Sequence, residues 1–121
     1  MERILCVDDE AYMLRMYQRV LGKEGYEVVC AADGILGVEA YRAAPDFAKV
    51  ITDMGMPNAT GLYVIEEIRK LNPEQKIYLA ASCDKEHLER AQALGIDGFL
   101  RKAFDHVDLI KLIRGELISE E

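Results

Sequence analysis

The sequence predicts an α/β fold: a doubly wound, five-stranded parallel sheet built from five βα units in a single domain spanning residues 1–121. Three observations carry this. Short apolar runs alternate with longer amphipathic ones along the whole chain, the signature of strands joined by crossover helices. Such crossovers are right-handed and leave the strands parallel. The chain has only 121 residues, too few for a closed eight-fold barrel of about 250.

The first unit opens with Arg3–Val7, too short and too uniformly apolar for a surface helix, hence a strand buried on both faces. Residues 11–24 follow with Met13/Leu14, Tyr17 and Val20/Leu21 at helical spacing. Gly25 stands where a helix-ending glycine belongs. Glu27–Ala31 is the second strand, and residues 35–43 form a helix that stops near Pro45. Lys49–Thr52 is the third strand. Leu62, Ile65, Ile68 and Leu71 mark a helix that ends before Pro73. Ile77–Ala81 is a strand, 86–94 a helix closed by Gly95, Gly98–Arg101 the last strand, and 107–117 the last helix.

Composition narrows the function. Half the residues are apolar and 31% are charged, an ordinary globular balance. A net charge of −7 disfavours direct nucleic-acid binding, because phosphate backbones select basic surfaces. No run approaches the roughly 18 consecutive apolar residues of a membrane span, and the N-terminus is no signal peptide. Cys6, Cys30 and Cys83 form no CxxC pair, so neither a zinc site nor a disulfide framework is expected, and a reducing cytoplasm is the default. His87 and His106 have no partner at metal-ligand spacing and are read as exposed helix residues.

Open α/β sheets bind ligands at the carboxyl ends of their strands. Asp8, Asp9 and Glu10 follow the first strand, Asp53 follows the third, and Lys102 follows the fifth. Taken alone, the acidic triplet could cap and begin the next helix. Gathered on one edge with Lys102, these carboxylates must protonate, stay solvated or bind a cation. Oxygen-only ligands in an open site suit Mg²⁺, which often shares its site with a phosphoryl group. No glycine stands between the first strand and its helix, so no dinucleotide or Walker loop is present.

These residues resemble a known family. Ile4-Leu5-Cys6-Val7-Asp8-Asp9-Glu10, Asp53-Met54-Gly55-Met56-Pro57 with Gly61, and the run Ala93 to Lys102 together are similar to the receiver domain of two-component response regulators, a flavodoxin-like fold. The resemblance implies that Asp53 accepts a phosphoryl group from the phosphohistidine of a sensor histidine kinase or phosphotransfer protein. It implies Mg²⁺ held by Asp9, Asp53 and the Gly55 carbonyl, with Asp8 acting through water. Lys102 would pair with Asp53 and then with the phosphoryl oxygens, and Phe99 would be the aromatic switch. The domain would catalyse only its own phosphorylation and dephosphorylation. It would signal, in the cytoplasm, through a surface of helix 4, strand 5 and helix 5 (85–117) to an unknown output protein or domain, as a monomer able to dimerise on phosphorylation.

Two departures from the family pattern stand out. The usual Thr or Ser at the end of the fourth strand is Ala80 counted from Lys102, or Ala81 counted from Asp53. Its absence should loosen the coupling between phosphorylation and Phe99. Lys102-Ala103 replaces the usual Lys-Pro, so either a trans bond with an altered loop or a cis bond held by packing is expected. The departures support a second reading, a degenerate receiver serving as a phosphorylation-independent interaction module. A phosphatase using Asp53 as nucleophile would want a second Asp two residues later, where Gly55 stands.

Overall fold

The computed structural model describes residues 1–116. Five βα units follow one another: β1 (Arg3–Val7), α1 (Ala11–Lys23), β2 (Glu27–Ala31), α2 (Gly34–Ala43), β3 (Lys49–Thr52), α3 (Gly61–Leu71), β4 (Ile77–Ala81), α4 (Lys85–Ala93), β5 (Gly98–Arg101) and α5 (His106–Ile113). All strand pairs are parallel, and their order across the sheet is 2-1-3-4-5. The chain therefore changes direction between β1 and β3, which are neighbours in space. Loops leaving these two strands diverge to opposite faces and open a crevice at their carboxyl ends.

The helices split between the two faces because each sheet face needs cover. Met13, Tyr17, Val20 and Leu21 of α1 and Leu109, Leu112 and Ile113 of α5 bury one face against Ile4, Cys6, Ile51 and Leu100. Val38 and Tyr41 of α2, Val64, Ile65 and Ile68 of α3, and Leu88 and Ala91 of α4 bury the other against Leu5, Val7, Val50 and Leu79. Consecutive residues of β1 thus serve opposite cores, which explains why the strand reads as an unbroken apolar run.

Helix ends account for the small differences from the sequence reading. α2 starts at Gly34 because the Asp33 carboxylate accepts the Leu36 N–H at 2.8 Å. α4 and α5 likewise start one residue earlier than expected, behind the capping carboxylates of Asp84 and Asp105. Gly25 closes α1 at φ +96°, with Tyr26 N–H returning to Leu21 O at 3.2 Å. The last helix is shorter than the expected 107–117. It stops at Ile113 because Gly115 takes φ +78° and Glu116 N–H returns to Lys111 O at 2.8 Å, the same closure. Leu117 and the remaining terminal residues lie outside the described region.

Candidate functional site

The three segments that carry the site are fixed by the same device. Each places its key residue one position past its strand, on a further hydrogen bond of the sheet. Asp8 N–H donates to Ala31 O (3.0 Å), Asp53 N–H to Val7 O (2.9 Å), and Lys102 N–H to Ala81 O (3.1 Å). The side chains thereby inherit the rigidity of the sheet while standing at its edge.

Asp8, Asp9, Glu10 and Asp53 each offer a carboxylate oxygen, and these four atoms lie within 4.8 Å of one another. Asp8 is fully buried, Asp53 is 7% exposed, and Asp9 is exposed. The Lys102 ammonium sits among them, 2.8 Å from Asp8 Oδ2, 2.8 Å from Glu10 Oε1 and 3.2 Å from Asp53 Oδ2. Asp8 Oδ1 accepts the Glu10 N–H at 2.9 Å, and Asp53 Oδ1 accepts the Met54 N–H at 2.8 Å. Asp8 Oδ2 is in ionic contact with Lys102 but outside hydrogen-bond geometry, and no other donor reaches it. No side chain of the acidic triplet caps α1, so the helix-start explanation for these residues does not hold.

Electrostatics follow from that count of four carboxylates to one ammonium. Burial pushes the Asp8 and Asp53 carboxyls above the usual range, and Lys102 offsets only part of this. Burial alone would lower the Lys102 pKa, but its contacts with Asp8 and Glu10 outweigh burial and raise it. The set is all-oxygen, over-rich in negative charge, and contains a buried oxygen lacking a hydrogen-bond donor. It faces a cavity of about 530 Å³ lined by Asp9, Glu10, Asp53, Gly55, Ser82 and Lys102. Those properties fit a hard, oxygen-seeking divalent cation with room left for waters and a small anion.

The loop after β3 is shaped by steric necessity. A Cβ on Gly61 would collide with the Asp53 carbonyl oxygen, and Gly61 N–H instead donates to Met54 O at 2.7 Å. Only glycine permits this approach, which explains the spacing from Asp53 to Gly61. A Cβ on Gly34 would likewise meet the Ala59 carbonyl oxygen at 2.5 Å. Asn58, at φ +69°, donates from Nδ2 to Asp33 Oδ2 at 2.8 Å. The start of α2 is thus tied to the loop that presents Gly55.

Asp8, Asp9, Asp53, Gly55 and Lys102 meet at this edge, while Ala80 and Phe99 lie within β4 and β5. Ala80 packs on the α1/α5 face, whereas Ala81 shares the opposite core with Leu79 and Phe99. The count from Lys102, which selects Ala80, therefore points away from the aromatic residue; the count from Asp53, which selects Ala81, points toward it. Phe99 is 1% exposed and packs inward, with the Arg101 guanidinium 5.1 Å from its ring centroid. Ser82 supplies a hydroxyl to the cavity wall. The Lys102–Ala103 peptide is cis. Glu10 is part of the expected carboxylate cluster, but its bond to Lys102 and the Tyr12 hydroxyl that donates to its Oε2 at 2.9 Å are not visible in the sequence. Nothing in the spacing of Glu10 and Tyr12 distinguishes the pair from an ordinary first helical turn.

A doubly wound 2-1-3-4-5 sheet with an acidic crevice and a lysine at its carboxyl edge places the chain among flavodoxin-like α/β domains. The family model for the response regulator receiver domain matches residues 4–114, and the chain belongs to that family. The chemotaxis protein CheY of Treponema pallidum is 32% identical over 118 residues, covering 95% of this chain and 82% of that protein. The probable transcriptional regulator ycf27 of Porphyridium aerugineum is 34% identical, covering 96% of this chain but 48% of its own length. Among solved structures, the response regulator TrrA of Thermotoga maritima, in complex with Mg²⁺ and BeF, superposes with a TM-score of 0.86 at 30% identity, covering 97% of this chain and all of that one (100%). The matched family is a signalling family of two-component systems. No helix among the described residues is long and apolar enough to cross a membrane.

Proposed function

We propose that this domain accepts a phosphoryl group on Asp53 in a Mg²⁺-dependent reaction and signals through the α4–β5–α5 surface. The observation that carries the reading is the Asp53 carboxylate, held at the cavity wall with one oxygen pinned by Met54 N–H and the other 3.2 Å from Lys102 Nζ. A carboxylate oxygen attacks phosphorus as the P–N bond of a kinase phosphohistidine breaks. The electron pair returns to the imidazole, and an acyl phosphate remains on Asp53. The protein's share of such a transfer is positioning and charge neutralisation. Asp9, Asp53 and the Gly55 carbonyl would hold Mg²⁺, with Asp8 acting through water, and the ion would neutralise charge on the transferred oxygens. Lys102 pairs with Asp53 in the resting site and then with the phosphoryl oxygens. The donor is a sensor histidine kinase or phosphotransfer protein in the cytoplasm.

Incubation with acetyl phosphate, with and without Mg²⁺, followed by intact mass tests this. One phosphoryl adduct is expected only with Mg²⁺, and none in Asp53→Asn. An unmodified wild-type mass after long exposure rejects the reading and leaves the interaction module, which the hydroxyl-free Ala80/Ala81 end of β4 and Ala103 favour.

A further inference from the structure

The Lys102 ammonium has three carboxylates within 3.2 Å of it, those of Asp8, Glu10 and Asp53. A phosphoryl group on Asp53 brings new anionic oxygens that compete with these carboxylates for the same ammonium. The three carboxylates are not equally able to let go. The Asp8 side chain is 1% exposed and that of Asp53 is 9%, whereas that of Glu10 is 40%. Turning Asp8 away would strand a buried charge, at a high cost. Glu10 can exchange Lys102 for water at low cost.

Glu10 is nevertheless braced in the resting site at three points. Its N–H donates to Asp8 Oδ1, its Oε1 meets Lys102, and its Oε2 accepts the Tyr12 hydroxyl. We propose that Glu10, braced by Tyr12, is a positioning residue that holds Lys102 in the resting site and yields it to the group added on Asp53. This rests on Asp53 being the phosphoacceptor. Glu10 is therefore a competitor of the bound phosphoryl group, and the Tyr12 hydroxyl sets the strength of the competition. Release of Glu10 also frees Tyr12, a largely exposed ring on the first turn of α1.

The test is titration of beryllofluoride, a phosphoryl mimic, at saturating Mg²⁺, read by ¹⁹F NMR in wild type, Glu10→Gln and Tyr12→Phe. Glu10→Gln should tighten binding about two- to fivefold, the range spanned by a partly exposed ion pair. Tyr12→Phe keeps every charge and removes only the brace, so it should tighten binding in the same direction by less. Tyr12 ring signals of the wild type should shift on binding. Unchanged or weaker binding in Glu10→Gln overturns the proposal. Wild-type affinity in Tyr12→Phe also overturns it, because Glu10 would then act through charge alone. Failure of the wild type to bind the mimic at all rejects Asp53 as phosphoacceptor instead.

Discussion

Replacing Asp53 by Asn should make the metal-free protein more stable. Asp53 shares its crevice with three carboxylates whose oxygens lie no farther than 4.8 Å apart. At that limit and an effective dielectric of 20, each like-charge pair costs about 3.5 kcal/mol. Solvent at Asp9 and Glu10 halves their share, which leaves a repulsion of about 7 kcal/mol. The attraction to Lys102 at 3.2 Å returns about 5 kcal/mol. A neutral amide therefore relieves about 2 kcal/mol, while its carbonyl keeps the Met54 N–H bond. For a chain of this size that is a rise in Tm of about 6–8 °C. The assay is urea unfolding at pH 7 with EDTA, comparing midpoints at unchanged slope. In Mg²⁺ the advantage should shrink or reverse, because saturating a site at 100 times its Kd adds about 2.7 kcal/mol to the protein that binds, and the variant lacks a ligand. A variant no more stable than wild type in EDTA would refute the account of a crivice under charge stress.

Two further expectations follow from the same geometry. The folded-state carboxyls of Asp8 and Asp53 titrate above their unfolded values, so between those values the folded chain binds more protons than the unfolded one. Metal-free stability should therefore rise as pH falls from neutrality through the folded-state values toward the unfolded ones, and Mg²⁺ should flatten the slope. The lowered carboxyls of Glu10, Asp33, Glu67 and Asp84 lose their stabilisation only as pH falls to and below their unfolded values of about 4; stability in EDTA that nowhere rises as pH falls from neutrality toward that range contradicts the reasoning. Ala81→Thr should enlarge the amide NMR shifts across α4, β5 and α5 on beryllofluoride binding, because Ala81 shares a core with Phe99; Ala80→Thr, on the opposite face, should not. If neither enlarges a change already complete in wild type, the Ser82 hydroxyl at the cavity wall fills the role.

What the sequence determined by itself is the alternation of strand and helix, and with it the parallel sheet. Runs such as Ile4-Leu5-Cys6-Val7 admit little else once crossover handedness is fixed. It also placed Asp8, Asp53 and Lys102 each one residue past a strand, which is where a doubly wound sheet gathers ligands. Helix ends were legible where a glycine closed them, as at Gly25, and misjudged at Ile113, where Gly115 ends the helix before the apolar pattern does. Tertiary structure alone decided which alanine faces Phe99, because a one-residue difference in loop length reverses the face of a strand residue. It alone brought Glu10, with Tyr12 bonded behind it, onto Lys102, a contact across 92 positions between Glu10 and Lys102. A side chain's partners across the sheet depend on strand order, and local periodicity carries no information about which strands become neighbours.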